Sequence, residues 1–373
     1  MPKIKLAYVT HGLSSNGIES FLVNIAYHID MTKYDVYFVI AIDEGTDTLH
    51  EKTVRDLGAK VIRVCDLDSI KKKFVYIKAL RKVFEENKFD IVHANMDLLN
   101  GVVLRAAKKA GIKKRICHAH TSSSTFVSEN SANKLFTMVQ TLYRNIMKRL
   151  IADNSTHFLG CSQKANEYMY PDRADEAITI NNGIDISKFL TPDSMDYDQN
   201  GIDPGKINLV TVGRLSAPKN PMFMIDIIAE LSKLRQNFMF NWVGDGDLKE
   251  DINKYIEQKN LSSFINMMGR RTDIPQILSQ CSIFLLPSLF EGLPVSLVEA
   301  QAAGLQCFVS SNVTDEVDFG GCRFISLDSG AKNWAEIIDQ YINLKETPCI
   351  DKEKLMKFDI TYTVNQLNNV YMS

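Results

Sequence analysis

Short apolar runs recur along this chain at intervals wide enough to hold a helix between each pair. In the first half they are Ile4 to Val9, Val36 to Ile42, Lys60 to Val64, Ile91 to Ala94, Arg115 to Ala119 and His157 to Gly160. The second half repeats the rhythm with Asn208 to Val212, Met239 to Val243, Ile265 to Met268, Ile283 to Leu286 and Gln306 to Val309. Such runs, closed by turn-forming residues, read as buried strands, and the segments between them carry apolar positions at helical spacing. Strand alternating with helix predicts α/β layers on parallel sheets, and here the unit occurs twice. Between the two sets, Asn181 to Gly205 (NNGIDISKFLTPDSMDYDQNGIDPG) collects Asn, Gly, Asp and Pro and reads as a linker. The pattern divides the chain into domains over 1–185 and 186–356. In open sheets of this kind, ligands bind beyond the carboxyl ends of the strands.

Ala132 to Ile151 has a strong amphipathic pattern. Leu135, Phe136, Val139, Leu142, Tyr143, Ile146, Met147 and Leu150 fall on one side, with Lys134, Arg144, Lys148 and Arg149 on the other. Such a helix is expected to cover its own domain's sheet; contact with a membrane surface or a lipid-linked acceptor is the other reading.

Composition narrows the class. With 373 residues, 45% apolar and 24% charged, the chain has the make-up of a soluble protein with two cores. Its apolar runs fall short of the ~20 residues that span a bilayer, and MPKIKLAYVT reads as a charged strand opening rather than a signal peptide. Seven cysteines without CxxC spacing fit a reducing compartment, so a cytoplasmic address is expected. Charge is uneven. Residues 1–180 hold 26 Lys+Arg against 20 Asp+Glu, a net of +6, and the remainder 17 against 25, a net of −8. A basic first half can attract phosphate, anionic lipid or nucleic acid, although most lysine runs are solvated surface.

Candidate chemistry gathers at predicted strand ends. After Ile283 to Leu286 comes EGLPVSLVE, Glu291 to Glu299. Pro294 suits a first helical position, so the N–H groups of Gly292, Leu293, Val295 and Ser296 are expected to be free at a helix start, where the dipole favours an anion. Glu291 then lies in the loop, placed to take sugar hydroxyls. Glu299 falls about two turns in, ~7 Å along the axis, where it can accept both hydroxyls of a ribose. The competing reading is an ordinary loop acid and a solvated helix acid.

After Asn208 to Val212, the turn GRLSAPKNP sets Arg214 and Lys219 before a helix opening at Pro221. Arg214 can fork to phosphate oxygens and Lys219 can serve as a mobile charge, unless both are plain loop cations. The first strand leads into THGLSSNGIE, which matches neither G-x-G-x-x-G nor a P-loop, although Gly17 would let a ligand approach the backbone. CHAHTS follows another buried strand; its histidines do not have common zinc spacing, and one of His118 and His120 is expected to face a ligand. The carboxylates at Asp66 (DLD) and Asp245 (DGD) are expected to belong to turns.

Taken in order, GRLSAPKN, VGDGDLKE, MGRRTDIPQILSQCSIFLLPS and EGLPVSLVEAQAAGL resemble the retaining glycosyltransferases of family 4, with EGLPVSLVE fitting their E-x7-E signature. The first half adds NGIESF, DIVHAN, HAHTS and NNGID. The resemblance implies the GT-B architecture of two facing Rossmann-like domains with a central cleft, with 357–373 packing back on the first. It implies that Arg214 and Lys219 hold a donor diphosphate, that Glu291 and the backbone of Gly292, Leu293, Pro294, Val295 and Ser296 hold the transferred sugar, and that Glu299 holds the ribose. Arg271 would offer main-chain contacts beside the base, Gly17 would sit by the diphosphate, and His120 would lie near the reacting sugar. Family members often carry two adjacent glycines in the first loop; here Asn16 replaces the first.

The implied reaction transfers a sugar with retention from a nucleotide diphosphate, with UDP the expected carrier, to an acceptor hydroxyl. It needs no metal or cofactor. The expected acceptor is a lipid-linked glycan of a surface polysaccharide, at the inner face of the membrane, and nucleic acid is not an expected partner. A non-hydrolysing sugar-nucleotide epimerase of the same architecture and a catalytically silent partner subunit are the alternatives.

Overall fold

The computed structural model describes residues 2–14, 17–43, 50–121, 134–191 and 201–373. Their contacts form two units, one running to Gly183 and completed by Ile360–Ser373, the other Ile184–Asp359. Each is built on an all-parallel sheet.

In the first unit the strands are β1 (Ile4–Thr10), β2 (Tyr34–Ile40), β3 (Lys60–Arg63), β4 (Ile91–Ala94), β5 (Lys114–Ala119), β6 (His157–Gly160) and β7 (Ile178–Thr179), in the order β3-β2-β1-β4-β5-β6-β7. β1 pairs with both β2 and β4. Covered on both faces, β1 is apolar and sealed from Leu6 to Val9, as the centre of a parallel sheet requires. The second unit orders β8 (Ile207–Val212), β9 (Phe238–Val243), β10 (Ile265–Gly269), β11 (Ile283–Leu286), β12 (Gln306–Ser310) and β13 (Cys322–Ile325) as β10-β9-β8-β11-β12-β13. In both sheets the order reverses beside the first strand, so the ends of β1 and β4, and of β8 and β11, are topological switch points.

Two edge strands escape the sequence pattern. β7 has only two residues, and β13 (CRFI) carries Arg323 and has only its last residue buried. The segment read as a linker is partly core: Ile184, Ile186, Phe189 and Ile202 are buried in the second unit. Its residues 192–200 lie outside the described ones. The last helix, Ile360–Met372, buries Ile360, Val364, Leu367, Val370 and Tyr371 in the first unit.

The long amphipathic helix spans Lys134–Asn154; Ala132 of its expected start is outside the described residues. It does not cover its own sheet along its length. Val139 is 57% exposed, Leu142 58% and Ile146 46%, whereas Met147 and Ile151 are buried. The cause is where the helix docks. It approaches the neighbouring helix Asn100–Lys109 at Gly101, where a Cβ would come within 2.8 Å of the Met147 carbonyl oxygen. That contact engages the carboxyl-terminal half and leaves the earlier turns outside the core.

Candidate active site

The loops after β8 and β9 lie backbone against backbone. Leu215 N–H donates to the Asp245 carbonyl at 3.1 Å, and Leu248 N–H to that of Leu215 at 3.2 Å. Gly244 has φ 149°, and a Cβ there would come within 1.9 Å of the Gly213 carbonyl oxygen. The glycines of VGDGDLKE thus allow two strand ends to close on each other. Its aspartates face cations: Asp245 is 3.8 Å from Arg270 and 3.6 Å from Lys249, and Asp247 is 2.9 Å from Arg214. Asp66 and Asp68 likewise close on Lys72. Among the described residues, no three His, Cys, Asp or Glu side chains are grouped to hold a metal ion.

Lys219 folds back over Gly213, its Cε 3.0 Å from where a Cβ would stand. Its Nζ reaches Glu291 Oε1 at 2.7 Å, with both side chains mostly buried. Ser288, fully buried, donates its hydroxyl to the same oxygen at 2.6 Å. Leu289 N–H donates to the Pro218 carbonyl at 2.8 Å and ties the two loops together. Lys219 and Glu291 are therefore one unit, held where β8 and β11 end side by side. Arg214 is not part of it, because its exposed guanidinium turns to Asp247.

Pro294 is the N-cap rather than the first helical residue, with φ −76° and ψ 90°, and the helix is Val295–Ala302. Glu299 consequently lies little more than one turn inside it, not two. The N–H groups of Gly292, Leu293, Val295 and Ser296 find no acceptor among the described residues. A helix of eight residues thus presents unpaired donors beside the Lys219–Glu291 pair. Glu299 is largely buried and has no ion pair among the described residues, and burial pushes its carboxyl up to about 7. Arg271 forks onto Asp273 at 2.8 and 2.5 Å, which raises the guanidinium and occupies it, while Gly269 before it turns with φ 67°.

In the first unit, Gly17 opens the helix Gly17–His28, and a Cβ there would meet nothing within 4 Å among the described residues. His120 lies just past β5. His118 and His120 point to the same side, as residues two apart on a strand do, and their rings stand 4.2 Å apart. They differ in depth: His118 is fully buried and His120 partly covered at the strand end. His120 Nε2 lies 2.9 Å from Asn95 Oδ1. Asn95 Nδ2 donates to the His93 carbonyl at 3.0 Å, so its Oδ1 must accept and His120 carries its proton on Nε2. Burial lowers His120 to about 4, so the ring is neutral near pH 7. Ser288 and Asn95 were not singled out from sequence; a hydroxyl or amide one or two residues past a buried strand was the signal.

Two family models cover most of the chain: Glycosyltransferase Family 4 over residues 15–188, and Glycosyl transferases group 1 over residues 195–353. The chain belongs to these glycosyltransferases. A Bacillus subtilis relative, the putative glycosyltransferase EpsF, is 28% identical over 90% of this chain and 86% of its own length. The Escherichia coli UDP-Gal:alpha-D-GlcNAc-diphosphoundecaprenol alpha-1,3-galactosyltransferase is 24% identical over 99% and 97%. Among solved structures, Anabaena HepE in complex with UDP-glucose superposes with a TM-score of 0.79, covering 99% of both chains at 18% identity. That likeness identifies the fold as GT-B, two Rossmann-like parallel-sheet domains. The glycosyltransferase has no helix among its described residues long and apolar enough to cross a membrane.

Proposed function

We propose that this glycosyltransferase moves a sugar, with retention, from a UDP-sugar to a hydroxyl of a lipid-linked glycan in the assembly of a surface polysaccharide. The observation that carries the donor side is the Lys219–Glu291 pair beside four unpaired N–H groups. A diphosphate above Gly213 would draw Lys219 to its oxygens and release Glu291 to accept a sugar hydroxyl. Arg214 can swing from its exposed contact with Asp247 to the same phosphates, and Glu299 takes the ribose.

Charge develops on the departing diphosphate. Lys219, Arg214 and the helix start stabilise it in a partly dry site, where such groups are worth most. These groups supply the positive charge, so the transfer is expected to proceed without a metal. In a front-face mechanism the leaving phosphate oxygen takes the acceptor proton. His120, a neutral ring at the β5 end, is assigned to the reacting sugar, and Gly17 and the backbone at Arg271 complete the donor contacts.

Relatives named for transfer onto sugars linked to diphosphoundecaprenol support the acceptor class. The exposed apolar turns around Val139, Leu142 and Ile146 in a net basic half support peripheral contact with the cytoplasmic face of a membrane.

The test is turnover of a panel of UDP-sugars with and without GlcNAc-diphospho-undecaprenol. Sugar transfer abolished by Glu291→Ala supports the reading. An epimerised donor without acceptor, or full transfer by both Glu291→Ala and Lys219→Ala, overturns it.

A further inference from the structure

The deepest histidines of the first unit connect its strand ends to the last helix of the chain. His93, from β4, and His118, from β5, are both fully buried, with stacked rings inclined by 11°. His93 Nε2 lies 3.1 Å from His118 Nδ1. On its other side, His93 Nδ1 lies 2.8 Å from the hydroxyl of Tyr371, which in turn lies 3.1 Å from that of Tyr8. Lys114 donates to the carbonyls of Val370 at 3.0 Å and Tyr371 at 2.9 Å, fixing the helix end that carries this tyrosine.

Counting protons gives the row a direction. Burial lowers His93 to about 3 and His118 well below its ordinary value, so both rings are neutral and each carries one N–H. If His118 donated to His93, His93 would donate to Tyr371 and Tyr371 to Tyr8. The Tyr8 hydrogen would then be left in a sealed core with no acceptor, and a bare His118 Nε2 with no donor. The reverse direction leaves one buried group unpaired instead of two. Tyr8 donates to Tyr371, Tyr371 to His93 Nδ1, and His93 Nε2–H to His118 Nδ1. The remaining proton sits on His118 Nε2, which has no hydrogen-bond partner among the described residues, with the nearby Ile180 backbone favouring a proton there. Each buried polar group left unpaired carries a cost, so the direction with one such group prevails over the direction with two.

We infer that Tyr371 is a positioning residue for the reaction: its hydroxyl sets the tautomers of His93 and His118, and so the orientation of the ring against which His120 packs. The inference rests on the assignment of His120 to the reacting sugar. Tyr8 has a different part, since it only donates to Tyr371, and its loss leaves the hydrogen bond from Tyr371 to His93 in place.

The test uses the full chain labelled with 15N-histidine. Long-range 1H–15N spectra at pH 7.5 are expected to show His93, His118 and His120 as Nε2–H tautomers. In Tyr371→Phe, His93 and His118 should become mixed, and kcat should fall about three- to tenfold with the donor KM unchanged. Tyr8→Phe should change neither the tautomers nor kcat. An Nδ1–H tautomer at His93 in the unmodified protein overturns the inference without need of any variant. So does a Tyr371→Phe spectrum with tautomers unaltered, or a Tyr8→Phe change as large. A shifted tautomer with unchanged kcat removes the positioning role. His120→Ala with full turnover would instead sink the assignment of His120, a separate failure.

Discussion

Lys219 Nζ and Glu291 Oε1 stand 2.7 Å apart at the ends of two neighbouring strands, β8 and β11, and neutralise each other with little solvent access. Removing the lysine leaves a mostly buried carboxylate with only Ser288 as donor among the described residues. Lys219→Ala is expected to lower stability by about 1–3 kcal/mol, the usual cost of an unsatisfied buried group, and transfer by at least about 100-fold. Glu291→Gln keeps an acceptor for both neighbours and should cost less stability. Urea unfolding with initial-rate kinetics checks both; equal loss of stability from the two variants would show the pair is not coupled.

Glu299 gives a pH signature to donor binding. Its carboxyl is raised to about 7 by burial, and ribose hydroxyls would stabilise the ionised form. Binding therefore releases a proton near neutrality, and affinity should fall about tenfold from pH 8 to pH 6. Glu299→Gln should bind UDP more weakly and flatten the part of this profile that is not due to the phosphate. Calorimetry in buffers of different ionisation enthalpy measures the proton directly; an identical profile in the variant would exclude Glu299 from the ribose.

The three neutral histidines make the first unit acid-sensitive above the range where carboxylates titrate. Folded values of about 3 for His93 and about 4 for His120 lie below the ~6.5 of an unfolded chain. The unfolded state thus binds more protons as pH falls, and stability is lost from about 6.5 downward until the folded values are reached. From pH 7 to 5.5 the loss should be roughly 2–4 kcal/mol. A urea midpoint constant across that window would contradict it.

Gly244 and Gly269 separate steric need from backbone preference. Both have positive φ, but a Cβ at Gly269 meets nothing, whereas at Gly244 it strikes the Gly213 carbonyl. Gly269→Ala should cost about 1–2 kcal/mol and Gly244→Ala about 3 kcal/mol or more, with loss of the Lys219 site. Thermal unfolding of the two proteins gives the comparison.

The contrast between legible and illegible parts has a common physical root. EGLPVSLVE and GRLSAPKN were readable because a strand end, a turn and a helix start are local signals. Their displacement was small: Pro294 caps the helix instead of opening it. The link between Lys219 and Glu291 depends on strand order, which periodicity does not encode. His93 and Tyr371 lie 278 residues apart, and neither residue type marks a buried polar row. The helix Lys134–Asn154 was evident, but an amphipathic pattern does not say what covers its apolar side. The short edge strands β7 and β13 lacked the apolar run that identifies central ones.

Ile360, Val364, Leu367, Val370 and Tyr371 complete the core of the unit whose strands are made first. A ribosome emitting this chain exposes β1 to β7 long before the residues that seal them, although domains commonly fold in order of synthesis. The second unit, Ile184–Asp359, is contiguous and has no such debt to later sequence. The part made first is therefore completed only after the second unit has been made, and until Ile360–Ser373 emerges Tyr8 and His93 lack their hydrogen-bond partner.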